Sequence, residues 1–118
     1  MMALYSDGEF AFTLGTPGGD SQTQSLLQIV HNMLLFSMST QQAIEAPRFR
    51  SSGGLRVAIE NRITGDVLKG LEGRGHELQV IDGWTATFGG AQMIFHNRDN
   101  GALTAAADPR REAYSLAY

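Results

Sequence analysis

Alternating apolar and polar positions predict β-strands in five stretches of the chain. The turn signal Ser6-Asp7-Gly8 precedes the first stretch, in which Phe10, Phe12 and Leu14 alternate with smaller residues. The predicted strands cover residues 10–14, 55–59, 78–80, 91–96 and 102–107. Residues 97–101 join the last two strands as a hairpin loop, so that pair is predicted to be antiparallel. Residues 82–90, around Trp84, are predicted to form a loop.

Apolar residues that recur every three or four positions predict three helices. The longest stripe is formed by Leu26, Leu27, Val30, Met33 and Leu34. The expected helix starts are Asp20 or Ser21, then Ser39 with its capping-box partner Gln42, then Thr64 before Val67, Leu68 and Leu71. The expected stops are Pro47 for the second helix and Gly73 or Gly75 for the third. Together these elements predict an α+β fold, with an antiparallel sheet and helices packed on one face.

The composition is that of one compact domain spanning residues 1–118, since 42% of the 118 residues are hydrophobic. The absence of cysteine excludes disulfides, zinc-thiolate and iron–sulfur sites, and a cysteine nucleophile. A formal net charge of -3 with scattered basic residues argues against nucleic-acid binding. The longest apolar run, residues 33–36, is too short to span a membrane. Periplasmic or secreted and cytoplasmic locations both stay open.

Residues 15–21 are the candidate functional site. A predicted strand enters this turn, Gly18 and Gly19 allow close approach of the backbone to a ligand, and a predicted helix leaves it. Such a junction leaves backbone N–H groups unpaired at the positive end of the helix dipole, which suits an anion or a developing oxyanion. The same residues also suit a plain structural turn, in which Pro17 sets φ and the glycines supply positive φ. Composition leaves both interpretations open.

Phosphate, dinucleotide and metal sites find little support in the residue pattern. A phosphate-binding loop is excluded because no lysine lies between Met1 and Thr64, and the dinucleotide fingerprint is unmatched. His31, His76 and His96 are far apart in the sequence and lack metal-ligand spacing. We therefore predict no metal site and interpret the histidines as ordinary surface or helix-end residues.

Two charged groups are candidates for acid–base chemistry or for structural ion pairs. Glu45 lies close to Arg48, and Asp108 lies close to Arg110 and Arg111. Either group could act on a substrate. Ion pairs that tie the chain ends to the body of the fold explain the same residues more simply.

Six motifs occur in a fixed order along the chain: GTPGGDSQTQSLLQIVHNML, STQQAIEAPRFR, IENRI, GRGHELQV, GGAQMIF and ADPRREAYSLAY. In this order they resemble the C-terminal part of the small subunit of γ-glutamyltranspeptidases, over about residues 3–118. The resemblance implies that the chain supplies part of the αββα sandwich of N-terminal nucleophile hydrolases.

The resemblance also implies a reaction. In this family a precursor cleaves itself, and the new N-terminal threonine attacks a γ-glutamyl amide with its own amino group as base. Gly18 and Gly19 would donate their backbone N–H groups to the tetrahedral intermediate as an oxyanion hole, and no metal or organic cofactor would take part. Nothing in residues 1–15 resembles the threonine-led start of a small subunit, so the nucleophile is expected outside this chain.

We therefore expect the C-terminal portion of a γ-glutamyltranspeptidase-like enzyme, inactive by itself. Its partners would be the large subunit, the rest of the small subunit and a γ-glutamyl substrate of the glutathione type. Asp20-Ser21-Gln22 follow the glycines where many transpeptidases have Ser-Arg-Ile-type residues, so a related amide acylase, such as a glutaryl acylase, is an alternative. A non-catalytic module is the second alternative. Sheet edges and apolar faces without their partner predict self-association.

Overall fold

The computed structural model of this protein describes residues 1–116, so the last two residues of the ADPRREAYSLAY motif lie outside the described range. Within that range the elements follow in the order β1 (Met2–Leu4), β2 (Phe10–Gly15), α1 (Gln22–Leu34), α2 (Thr40–Glu45), β3 (Phe49–Ser51), β4 (Arg56–Glu60), α3 (Gly65–Glu72), β5 (Glu77–Ile81), β6 (Gln92–Asn97) and β7 (Ala102–Ala107). The predicted hairpin is present as β6 and β7.

The larger sheet has the strand order β1-β2-β6-β7, and each neighbouring pair is antiparallel. Its side chains alternate between two faces, so Leu14 and Met93 are paired and buried whereas Ile94 is 43% exposed. Helices α1 and α2 pack on the buried face, where Ile29 and Ile44 complete the core. The predicted α+β class, with an antiparallel sheet and helices on one face, is confirmed.

The smaller sheet, with the order β3-β4-β5, contains a parallel pair that the residue pattern did not predict. Strands β4 and β5 are parallel because α3 connects them as a crossover, which parallel neighbours require. The strand predicted over residues 55–59 is confirmed as β4, but the expectation that it is half-buried was wrong. Leu55 precedes β4 and is exposed, whereas residues 57–60 are all buried. As the central strand of its sheet, β4 has a neighbour on each edge.

The predicted helix starts differ in how they are capped. The capping box is confirmed, because the Gln42 amide donates to the Ser39 hydroxyl at 3.3 Å and the Ser39 amide donates to the Gln42 side chain at 3.0 Å. Ser21 and Thr64 occupy N-cap positions, but neither side chain accepts a capping hydrogen bond, so that prediction was wrong for both. The Ser21 hydroxyl donates to the carbonyl oxygen of Gly18 instead, at 2.8 Å.

Other local features follow from short-range backbone geometry. The pattern missed β1 and β3, because the three residues of β1 are all apolar and the three residues of β3 include one apolar residue, so neither shows an alternation. Gly75, with a φ of 90°, supplies the left-handed residue after α3, whereas Gly73 has a φ of −62°. The predicted loop 82–90 contains a 3₁₀ turn at Ala86–Phe88. In residues 1–116, no helix has both the length and the apolar character needed to cross a bilayer.

Candidate functional site

The turn between β2 and α1 is built around two consecutive glycines with positive φ. Gly18 has a φ of 140° and Gly19 a φ of 55°, values that other residues rarely adopt. A 3₁₀ turn at Gly19–Ser21 leads directly into α1, and Asp20, one of the two predicted caps, lies inside that turn. The chain therefore changes direction through two glycines immediately before a helix begins.

The amide groups of Gly18 and Gly19 have no hydrogen-bond acceptor within residues 1–116. Gly19 is exposed and Gly18 is half-buried, so both lie near solvent. The first N–H groups of a helix carry a partial positive charge and bind anions readily. Two adjacent N–H donors at this position can therefore bind an anion or an oxygen atom on which negative charge develops.

A second segment, residues 88–91, is distant from this turn in the sequence but packs against it in the structure. The Gly90 amide donates to the Thr16 hydroxyl oxygen at 2.9 Å, and that hydroxyl donates to the Pro17 carbonyl oxygen at 3.0 Å. A Cβ atom at Gly89 would lie 2.4 Å from the Thr16 hydroxyl oxygen and 3.2 Å from the Pro17 carbonyl oxygen. Only glycine at position 89 permits this close approach.

Four buried charged side chains lie behind the 88–91 segment: Arg48, Glu60, Asp108 and Arg110. Arg48 pairs with Asp108 at 2.7 Å, and Arg110 contacts Glu60 at 2.6 Å and Asp108 at 3.1 Å. Both arginines also donate to the Ile44 carbonyl oxygen, at 2.7 Å from Arg48 and 3.0 Å from Arg110. The two cations and two anions neutralise each other in the interior. Their mutual attraction offsets the free-energy cost of removing each charge from water.

This charged cluster holds the 88–91 segment directly. Arg48 donates to the Phe88 carbonyl oxygen at 2.8 Å, and the Ala91 amide donates to the Asp108 carboxylate at 2.9 Å. The Ser25 hydroxyl of α1 donates to the same Phe88 oxygen at 3.2 Å. The segment is therefore fixed at both ends, and through Gly90 it contacts the glycine turn.

Electrostatics keep the Arg48–Asp108 pair ionised. Burial by itself would raise the pKa of Asp108, but the Arg48 charge and the Ala91 and Arg110 amides hold that pKa below its ordinary value. Burial also lowers the pKa of the Arg48 guanidinium, and the adjacent Asp108 carboxylate opposes that change. Arg48 and Asp108 are therefore interpreted as a structural ion pair.

Sequence reasoning identified Asp108 and Arg110 as ion-pair residues, and the structure confirms that interpretation for both. The predicted pairing of Glu45 with Arg48 was wrong. The Glu45 carboxylate accepts a hydrogen bond from the Gln41 side chain at 2.7 Å, and Arg48 pairs with Asp108. Sequence reasoning missed Glu60 altogether. Glu60 ends a strand of apolar residues, and a buried carboxylate needs a buried cation as its partner. That position in the sequence could have identified Glu60 as an ion-pair residue.

The remaining candidate residues are Arg111 and the histidines. The aliphatic part of Arg111 packs where a Cβ at Gly90 would lie, 2.5 Å from its Cδ atom. His96 lies 3.0 Å from the Phe10 carbonyl oxygen, and His31 is exposed on α1. Residues 1–116 contain no group of three or more histidine or acidic side chains arranged to hold a metal ion.

A family model described as Gamma-glutamyltranspeptidase matches residues 1–118. The chain belongs to the γ-glutamyltranspeptidase family. It is 38% identical to the acylase ACY 1 proenzyme of Pseudomonas sp. (strain SE83), over 99% of this chain and 20% of that protein. It is 33% identical to the glutathione hydrolase proenzyme of Escherichia coli (strain K12), over 91% of this chain and 18% of that protein.

The fold of this γ-glutamyltranspeptidase-family chain is also found in solved structures. The γ-glutamyltranspeptidase from Pseudomonas nitroreducens complexed with L-DON superposes with a TM-score of 0.84 at 27% identity, covering 100% of this chain and 61% of that one. The family resemblance and the N-terminal nucleophile hydrolase architecture predicted from the motifs are therefore confirmed. The chain spans about a fifth of the length of the curated relatives it matches.

Proposed function

We propose that this chain is the C-terminal part of the small subunit of a γ-glutamyltranspeptidase-like enzyme, and that Gly18 and Gly19 form its oxyanion hole. A threonine supplied by the rest of the protein attacks a γ-glutamyl amide, and the acyl group passes to water or to an amino acid. The chemistry uses no metal or organic cofactor. The segment alone is inactive because it supplies stabilising amides without the nucleophile.

One observation carries this proposal: the Gly18 and Gly19 amides have no acceptor in residues 1–116, although they lie at the start of an ordered helix. When a nucleophile adds to an amide, negative charge develops on the former carbonyl oxygen. Two N–H donors already in position stabilise that charge without reorganising as the reaction proceeds. The positive end of the α1 dipole adds to the same effect.

The remaining parts of the site are proposed to come from protein that contacts the open face of the larger sheet. Ile94 is 43% exposed and Leu103 is 63% exposed on that face. A cavity of about 550 Å³ on the same side is bordered by Thr16, Pro17 and Ile94, so protein covering the face would also approach the glycine turn. The two relatives are named proenzymes, which supports a precursor that is cleaved to expose the nucleophile.

The test uses the full-length protein that contains this segment. We expect it to hydrolyse a γ-glutamyl anilide and to transfer the acyl group to an amino-acid acceptor. Replacing Gly18 with Ala places a Cβ 2.5 Å from the Ser21 hydroxyl oxygen, at a φ of 140° that alanine rarely adopts, so we expect the turn to shift and the amide to move. Losing one oxyanion donor lowers kcat on the order of 10²–10³-fold.

The matched control is Gly54→Ala. Gly54 also has a positive φ, of 58°, but a Cβ there would meet nothing within 4 Å. We expect this variant to stay within a few-fold of the wild-type kcat. The proposal is wrong if the processed wild-type protein hydrolyses neither a γ-glutamyl anilide nor a glutaryl anilide, or if Gly18→Ala and Gly54→Ala are equally active.

An amide acylase is the second candidate, favoured by the 38% identity to a protein named as an acylase. A glutaryl group lacks the α-amino group of a γ-glutamyl group, so the relative kcat/KM for the two anilides shows whether the site recognises an ammonium. Preference for the glutaryl anilide would support the acylase. Turnover of neither substrate would support the non-catalytic module.

A further inference from the structure

The two candidate N–H groups belong to peptide planes whose carbonyl oxygens are each held by a hydroxyl group. The Gly18 amide shares its plane with the Pro17 carbonyl, and the Gly19 amide shares its plane with the Gly18 carbonyl. No cis peptide bond occurs in the described chain, so in each plane the N–H points away from the C=O. Fixing the carbonyl oxygen therefore fixes the direction of the N–H.

Thr16 holds the first plane. Its hydroxyl donates to the Pro17 carbonyl oxygen at 3.0 Å and accepts from the Gly90 amide at 2.9 Å. Because the Gly90 amide supplies a proton to this hydroxyl oxygen, the hydroxyl's own proton is directed to Pro17. The bond to Gly90 also ties Thr16 to the 88–91 segment, which the buried Arg48 and Asp108 side chains hold in place.

Ser21 holds the second plane. The Gly18 carbonyl oxygen accepts from the Ser21 hydroxyl at 2.8 Å and from the Ser21 amide at 3.1 Å. The Ser21 side chain is almost completely buried, with 1% of the residue exposed. Its hydroxyl occupies the space that a Cβ at position 18 would need, so glycine at that position makes this contact possible.

Glycine makes such an arrangement necessary. The Gly18–Gly19 plane lies between two glycines and rotates easily, because neither residue has a Cβ to restrict φ and ψ. The Pro17–Gly18 plane has this freedom on its glycine side, since proline fixes its own φ but not its ψ. Rotation by half a turn would replace the N–H by a carbonyl oxygen, which repels an oxyanion. Resting on the proposed function, we infer that Thr16 and Ser21 are positioning residues whose hydroxyl groups hold the Gly18 and Gly19 amides toward the substrate oxyanion.

The experiment compares Thr16→Val and Ser21→Ala with Thr64→Val and Ser52→Ala in the full-length protein. Thr64 and Ser52 are exposed, and their hydroxyls make no hydrogen bond within residues 1–116, so the controls remove the same atoms elsewhere. Rates are normalised to processed protein. We expect kcat to fall about 10- to 100-fold for Thr16→Val, less than for loss of a whole donor. The decrease for Ser21→Ala should be smaller, because the Ser21 amide still holds the Gly18 carbonyl.

Measuring kcat and KM separately for each variant distinguishes a positioning role from a purely structural role. An oxyanion forms only during reaction, so KM should change by less than about twofold while kcat and kcat/KM fall together. Thr16→Ser keeps the hydroxyl and should restore kcat. If the wild-type protein is active and kcat is unchanged in Thr16→Val and Ser21→Ala, the inference is overturned. The proposed function then stays intact. Absence of wild-type activity would overturn the proposed function itself.

A variant that fails to fold is replaced by a milder one. Thr16→Cys keeps a γ atom that hydrogen-bonds only weakly, so its kcat should fall below that of Thr16→Ser. Equal kcat values for Thr16→Ser and Thr16→Cys would contradict the role given to the Thr16 hydroxyl.

Discussion

The Arg48 guanidinium lies 2.7 Å from the Asp108 carboxylate, and the two side chains are 1% and 0% exposed. This pair connects the residues after α2 with those after β7, and it also holds both ends of the 88–91 segment. The pair therefore supports the segment that contacts the glycine turn.

Replacing Asp108 with Asn should strongly destabilise the protein. The change leaves the Arg48 charge buried without its anion, and breaking a buried pair in this way costs about 3–5 kcal/mol. Urea denaturation of the full-length protein measures the difference. Asp99→Asn, at an exposed hairpin position, should change the free energy of unfolding by less than about 0.5 kcal/mol. Equal urea midpoints for the two variants would contradict the importance of the pair.

Acidification should remove the stabilisation that Asp108 provides. Burial opposes ionisation, but Arg48 and the neighbouring amides keep the folded-state pKa of Asp108 below its ordinary value. A carboxylate with a depressed pKa stabilises the fold above its unfolded pKa, about 3.9, and loses that effect as the pH falls toward the folded pKa. The difference in unfolding free energy between wild type and Asp108→Asn should be constant from about pH 7 to 5 and shrink below about pH 4.

Unfolding both proteins in urea at several pH values tests this expectation. A difference that stayed constant or grew on acidification would show that folding does not lower the pKa of Asp108.

Replacing Gly89 with Ala should lower kcat of the full-length protein. The added Cβ would lie 2.4 Å from the Thr16 hydroxyl oxygen, and the nearby Pro17 carbonyl, as backbone, cannot move aside cheaply. We expect kcat to fall at least tenfold, because displacement of the turn by about 1 Å can cost 10²-fold in rate. Gly101→Ala is the control, since Gly101 also has a positive φ but no atom within 4 Å of the added Cβ. Comparable kcat values for the two variants would argue against a role in catalysis for the packing of the 88–91 segment on the glycine turn.

The open face of the larger sheet should cause the separate chain 1–118 to self-associate. Ile94 and Leu103 expose apolar surface there, with 43% and 63% of each residue accessible. Sedimentation should show species larger than a monomer, and Ile94→Lys combined with Leu103→Lys should shift them toward a monomer. Ser52→Lys with Thr64→Lys adds the same charges at exposed positions elsewhere and should have little effect. A wild-type chain that stays monomeric at high concentration would contradict this prediction.

Features whose contacts lie close together in the chain were predictable from the sequence. The capping box at Ser39 depends on Gln42, three residues away, and the β6–β7 hairpin depends on a short loop. The glycine turn was identified in the same way, as a strand, two glycines and a helix in succession. The motifs then identified the family, because their order constrains many positions at once.

Features that depend on distant partners were not predictable in the same way. The bond between Gly90 and Thr16 joins residues 74 positions apart, and the contact between Arg110 and Glu60 spans 50 positions. Glu45 is three residues from Arg48 and was the nearest acidic group in the sequence, yet the arginine pairs with Asp108. Proximity in sequence does not decide which charge a buried arginine reaches.

The sequence by itself determined the order of the three helices and five longer strands, the glycine turn and membership of the γ-glutamyltranspeptidase family, because periodicity, turn residues and motifs act over a few residues. Only the tertiary structure decided that Thr16 and Ser21 hold the carbonyl oxygens behind the Gly18 and Gly19 amides, and that Arg48 and Asp108 support the adjoining segment. The physical reason is that a hydrogen bond or a buried ion pair depends on the distance and direction between groups. For Thr16 and Gly90, or Arg48 and Asp108, only the packing of distant segments sets that geometry.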